Sequence, residues 1–152
     1  MPQPSRFWDR HANGYAKRPV TNEAAYRKKL KVTQDYLTPD MKVLEVGCGT
    51  GSTAINLAPF VKHIRAIDIS RKMIEIARAK SVTGNVENVS FEQSNIVDLN
   101  PKDAAYDAVM AHSILHLLEN KEAVIATIHR MLKPGGVFVS STACLGGTML
   151  AL

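Results

Sequence analysis

The sequence predicts an α/β fold built on a doubly wound parallel sheet, and three observations predict it. From residue 42 onward, short near-continuous apolar runs alternate with segments of helical period. A glycine-rich loop follows the first apolar run and opens a helical segment. An acid, Asp68, closes the second apolar run. Near-continuous apolar strands are what a sheet covered on both faces requires.

Taken in order, Lys42-Val43-Leu44-Glu45-Val46 reads as the first strand and Gly47 to Gly51 as the loop. Residues 52–61 have a helical pattern, and residues 63–67 form a second strand ended by Asp68. Ser70 is placed to cap a helix over 71–79, with Met73, Ile74, Ile76 and Ala77 as its apolar side. Gly84-Asn85 ends that unit with a turn. Residues 89–93 are a third strand, 106–111 a fourth, and 122–131 a helix. Pro134-Gly135-Gly136 turns the chain into a fifth strand over 137–141. Upstream, residues 5–20 read as an irregular arm with aromatic anchors Phe7, Trp8 and Tyr15. Thr21 or Asn22 would cap a helix reaching about Leu37 and burying Tyr26, Leu30 and Tyr36. The predicted organisation is one domain: an arm and helix over 1–38 and a ligand-binding core over 39–152.

Composition narrows the function classes. The 152 residues suit a single hydrophobic core, and 45% hydrophobic with 22% charged residues is ordinary for a globular chain. No apolar run approaches the ~20 residues that span a bilayer, so no membrane span is expected. The polar start MPQPSRFWDR lacks a secretory apolar stretch. Two cysteines, Cys48 and Cys144, make neither a disulfide framework nor a zinc cluster, which places the chain in a reducing, cytoplasmic compartment. The net charge of +5 is concentrated early, at Arg6, Arg10, Lys17, Arg18, Arg27, Lys28, Lys29 and Lys31. No nucleic-acid motif accompanies these charges, so they read as a solvated helix face, and nucleic acid is disfavoured as a partner.

The loop Gly47-Cys48-Gly49-Thr50-Gly51 can adopt positive φ and lets a ligand approach bare backbone. Asp68, about twenty residues beyond Gly47, stands where a carboxylate accepts bonds from a ribose diol. That pair suits any adenosine ligand. Two details select among them. The spacing is G-x-G-x-G, and Ser52 stands where a dinucleotide fingerprint wants glycine. Glu45 puts a charge inside an apolar strand beside the loop, where it would repel a pyrophosphate and welcome an ammonium group. A phosphate-binding G-K-[ST] loop and a G-x-S-x-G nucleophile elbow are both absent. Met41, Met73, Met110 and Met131 read as core fillers. His112 and His116, four apart, are candidates for a general base near neutrality.

These blocks resemble a known family. The run VLEVGCGTG at 43–51 is similar to motif I of class I S-adenosylmethionine-dependent methyltransferases. AIDIS at 66–70 resembles the acidic second motif, FEQSNIVDL at 91–99 the third block, YDAVMAHSILHLLEN at 106–120 the fourth-strand motif, and LKPGGVFVSS at 132–141 the fifth. The arm FWDRHANGYAKRP resembles the lead-in of ubiquinone-biosynthesis-type small-molecule methyltransferases. The resemblance implies a Rossmann-like sheet in the order 3-2-1-4-5 and S-adenosyl-L-methionine as cofactor. It implies that Gly47, Cys48, Gly49 and Gly51 line the methionine end and that Glu45 assists its amino group. Asp68 would hold the ribose hydroxyls, Ile69 and Ile96 would flank the adenine, and Asn95 would accept from the adenine amino group. Ala111 and His112 would lie near the methyl group, His112 as the catalytic candidate, and Tyr15 would close over the cofactor. Metal is not expected.

The family pattern continues past the fifth strand with a helix and an antiparallel strand pair, whereas this sequence reads TACLGGTMLAL. The expectation is a shortened piece lacking the last sheet elements, with residues 137–141 an exposed edge inviting self-association. The expected function is methyl transfer to a small-molecule acceptor. The alternatives are a cofactor-binding module without turnover and a nicotinamide-dependent oxidoreductase.

Overall fold

The computed structural model describes residues 4–17, 23–99, 102–112 and 114–142. The expectations for Thr21, Asn22, Cys144 and the side chain of His116 fall outside these. Five strands form one sheet: β1 Lys42–Val46, β2 His63–Asp68, β3 Val89–Gln93, β4 Tyr106–His112 and β5 Leu132–Ser141. They lie in the order β3-β2-β1-β4-β5, and every pairing is parallel. The order reverses at β1, so the crevice at the carboxyl ends of β1 and β4 is the switch point where such sheets bind ligands.

Alternation along the strands sorts the core onto two faces. Val43, Ile64, Ala66, Ala108 and Met110 pack on one face with Ala54 and Leu57 of α3 (Ser52–Leu57) and with Ile74 and Ala77 of α4 (Arg71–Thr83). Leu30 of α2 (Glu23–Asp35) leans on the same cluster. Leu44, Val46, Ile67, Val109 and Ala111 face Val124, Ile128 and Met131 of α5 (Lys121–Met131). Met73, Met110 and Met131 are buried as core, and Met41 packs at its margin. Because Glu45 and His112 continue the alternation of Val43 and Met110, they emerge on the first face, beneath α2. No helix among the described residues is long and apolar enough to cross a membrane.

Four expectations need correction. Residues 5–17 are not an irregular arm: α1 runs Pro4–Lys17 as a helix. Pro4 is tolerated in a first helical turn, and Trp8, Ala12 and Tyr15, spaced four and three, put Ala12 at 0% exposure. Tyr36 is not buried; α2 ends at Asp35 and leaves Tyr36 55% exposed. The third helix is shorter than expected, since Pro59 tightens its end into a 3-10 turn at Ala58–Phe60. The last strand starts early, with Leu132 paired to Tyr106, and a bulge takes up the Pro-Gly-Gly before Val137 pairs with Ala108. Among the described residues β4 is the one strand paired with β5, which forms the sheet edge.

Gly51 shows how tightly the loop is built into the core. Its φ is +82°, and a Cβ there would stand 2.8 Å from the Ala77 side chain and the Phe91 ring. Gly51→Ala therefore combines left-handed strain with overpacking and should cost about 2–4 kcal/mol. Urea unfolding checks this; a loss below about 1 kcal/mol would mean that the loop yields easily.

Candidate functional site

The loop after β1 is fixed by its neighbours before any ligand arrives. The Ile67 carbonyl accepts from the N–H groups of both Gly47 and Cys48, each at 2.9 Å, which ties the loop to the end of β2. Gly47, Gly49 and Gly51 all have positive φ. Gly47 lies under Ile114, whose side chain would collide with a Cβ at that position. Over Gly49 nothing lies within 4 Å of that position, so its backbone faces open space. Here the bare backbone is available to a ligand.

Asp68 reaches the loop directly. Its Oδ2 accepts from the Gly49 N–H at 2.9 Å and its Oδ1 from the Ser70 N–H at 2.8 Å. Burial pushes its pKa up, and these two backbone bonds pull it back down. Each oxygen keeps a lone pair for a further donor, as a ribose diol would supply.

Glu45 is 2% exposed, and among the described residues its Oε2 has no hydrogen-bond partner. Burial raises its pKa from an ordinary 4.5 to about 8; Lys29 opposes the rise and Asp68 adds to it. His112 is 8% exposed. Its Nδ1 lies 3.0 Å from the Ser141 hydroxyl, and among the described residues its Nε2 has no partner. Burial lowers its pKa to about 4, and Lys29 acts in the same direction, so the ring is neutral at physiological pH.

Lys29 is the residue that the sequence misplaced. Its position in sequence groups it with the solvated basic face of α2, where Arg27 pairs with Glu23 and Lys31 with Asp35 in exposed i,i+4 bridges. Lys29 instead turns inward. It is half-buried, its pKa is lowered by desolvation, and it exerts its charge on both Glu45 and His112. Its ammonium sits 5.2 Å from the Tyr26 ring centre, and the Tyr26 hydroxyl is 3.3 Å from Thr53 on α3. The available signal was periodicity, since Tyr26, Lys29 and Thr33 share a face with core-packed Leu30.

The other expected residues are scattered around this centre. Cys48 is buried, and its thiol pKa is driven up, which keeps it an inert neutral group. Ile69 is half-exposed beyond Asp68. Ile96 is 2% exposed and packs with Leu44 and Ile67 on the opposite face of the sheet. Asn95 is exposed, with its side-chain oxygen accepting from Val97 N–H at 3.4 Å at the head of a short turn. Ala111 is fully buried. Tyr15 is 49% exposed on α1, with its ring edge-on to Trp8. Among the described residues no three His, Cys, Asp or Glu side chains cluster as a metal site.

The doubly wound sheet, the bare glycine loop at its switch point and the acid beside that loop define a nucleoside-binding α/β domain. Residues 37–151 match the family model of the methyltransferase domain, and the chain belongs to that family. It is similar to a ubiquinone biosynthesis O-methyltransferase of Xanthomonas axonopodis, at 31% identity over 91% of this chain and 56% of that protein. It is also similar to phosphoethanolamine N-methyltransferase 1 of Arabidopsis thaliana, at 32% identity over 76% of this chain and 24% of that protein. Among solved structures, a SAM-dependent methyltransferase from Aquifex aeolicus superposes with a TM-score of 0.64 at 25% identity, covering 70% of this chain and 58% of that one. The chain spans about half or less of the length of the first curated relatives it matches, 45%, 39% and 24%.

The buried acid makes a pH prediction. With the folded pKa of Glu45 near 8 and the unfolded value near 4.5, the folded state holds a proton that the unfolded state releases between those values. Its contribution to stability is thus full below about pH 4.5, declines as pH rises, and is gone above about pH 8. Glu45→Gln removes that decline, so the variant gains on the wild-type chain between pH 5 and pH 8 in urea titrations. A gain that is constant with pH would show Glu45 to be ionised throughout.

Proposed function

We propose that this domain binds S-adenosylmethionine over the glycine loop and directs its methyl group to a small-molecule acceptor. The observation that carries the proposal is the partnerless buried Oε2 of Glu45 with the inward-facing Lys29 in the same cluster. A carboxyl group and an ammonium set together complement the ends of an α-amino acid, with Glu45 taking the ammonium and Lys29 the carboxylate. A dinucleotide would bring a pyrophosphate against Glu45, where burial opposes the phosphate charge and no ammonium is present for the carboxyl group to pair with.

The remaining contacts are part of the same proposal. Asp68 accepts from the ribose hydroxyls, and the open backbone at Gly49 admits the ligand beside it. Ile69 flanks the adenine, with Asn95 accepting at its amino edge and Ile96 supporting from the core. Tyr15 covers the site from α1. Bound there, the cofactor supplies a methyl group on a sulfonium that departs as a neutral thioether. What the protein adds is alignment and the exclusion of water. His112, neutral and with its buried Nε2 unpaired among the described residues, is the proposed acceptor of a hydrogen bond from the substrate. The names of the relatives, a phosphoethanolamine N-methyltransferase and a ubiquinone biosynthesis O-methyltransferase, support a small acceptor whose nucleophile is nitrogen or oxygen.

S-adenosylhomocysteine should raise the melting temperature in a concentration-dependent way, whereas the nicotinamide dinucleotides should not. Asp68→Ala should weaken calorimetric binding of S-adenosylhomocysteine by about 1–3 kcal/mol, the scale of losing bonds to a charged acceptor. Stabilisation by the dinucleotides alone, or unchanged affinity in the variant, would overturn the assignment.

A further inference from the structure

We infer that Asp9, on the N-terminal helix, is a positioning residue for the cofactor's ribose, acting through Ser70 on Asp68; the inference rests on the proposed function. One line of hydrogen bonds connects them. Asp9 Oδ1 accepts from the Ser70 hydroxyl at 2.6 Å and from the Lys72 N–H at 3.0 Å. Ser70 is fully buried, and its hydroxyl oxygen also accepts from Met73 N–H at 3.2 Å, capping α4. The Ser70 N–H donates to Asp68 Oδ1, and Asp68 Oδ2 is held by the Gly49 N–H. The series Asp9–Ser70–Asp68–Gly49 thus joins α1, the head of α4, the end of β2 and the glycine loop.

Each link has a physical task. A serine hydroxyl rotates freely unless an acceptor fixes it, and Asp9 aims the Ser70 proton outward so that the oxygen faces Met73. The Lys72 N–H is one of the donors that a helix start leaves without an internal partner, and Asp9 satisfies it. Both bonds stiffen the turn over residues 68–70, which sets the direction of the Asp68 carboxylate. Asp9 is also close enough to push the Asp68 pKa upward, so the two carboxylates sense one another. Without Asp9, α1 loses this tether and the ribose acceptor loses its fixed bearing.

The test compares two ligands, S-adenosylhomocysteine and its 2′-deoxyadenosyl analogue, by calorimetry on the wild-type chain, Asp9→Ala and Asp9→Asn. The ratio of the two affinities within one variant cancels any loss of folded protein. The wild-type chain should prefer the ribose ligand by about tenfold or more, the factor that a hydrogen bond to a charged acceptor gives. In Asp9→Ala the preference should shrink by about threefold or more, the range of coupling between linked groups. Asp9→Asn keeps an acceptor for Ser70 and should restore the wild-type preference. Ser70→Ala cuts the same series from the other side and should reproduce the Asp9→Ala ratio. If both ligands weaken equally in Asp9→Ala, Asp9 merely stabilises α1 and the inference fails. If Asp9→Asn behaves as Asp9→Ala, the hydrogen-bonded series is likewise overturned. If the wild-type chain binds neither ligand, the proposed function falls first and takes this inference with it.

Discussion

A carboxyl group buried in a sheet with one oxygen unpartnered among the described residues is the constraint around which this domain is arranged. Glu45 sits mid-sheet on β1, where its neighbours in the alternation are Val43 and Met110. Leaving one of its oxygens unpaired is costly in an apolar interior. The protein keeps the group by holding its proton and by turning Lys29 toward it from α2. The half-buried cation also depresses the pKa of His112. Lys29 of α2 thus acts on both Glu45 of β1 and His112 of β4, and all three are displaced from their ordinary state mainly by burial. Such displacement clusters at functional sites.

Around this cluster the backbone is fixed by other means. Ile67 holds the glycine loop through one carbonyl, and Asp68 holds it again from the next residue. The loop is rigid where it must be, and open only at Gly49. Preorganisation of this kind lowers the ordering that a ligand must impose. The two core clusters serve the same end, because they lock β1, β2 and β4 in register and so fix the spacing between Glu45, Asp68 and His112.

The sequence revealed the fold where its signals were local. The runs of the first and third strands, the Ser70 cap and the glycine loop all depend on residues a few positions apart, and each stands where the pattern placed it. The singular position of Glu45 was legible because a lone acid in an apolar run needs a reason, and the structure shows it buried with one oxygen unpartnered among the described residues. What escaped was tertiary. The helical state of α1 depends on its docking to α4 through Asp9, a contact between residues more than sixty apart. Lys29 could not be told from Lys28 by composition, since only the packing of Leu30 decides which lysine faces inward. Leu132 joined the last strand because Tyr106 offers it a partner, and that pairing is invisible from a Pro-Gly-Gly run.

The central claim is that Glu45 awaits a cationic amino group. Calorimetry near pH 7, in two buffers of different ionisation enthalpy, measures the protons exchanged on binding. S-adenosylhomocysteine carries the ammonium, and methylthioadenosine has the same nucleoside without it. If the claim holds, the first ligand releases a proton as Glu45 ionises against the ammonium, and the second releases none. Equal proton exchange for both ligands, or none for either, would contradict it.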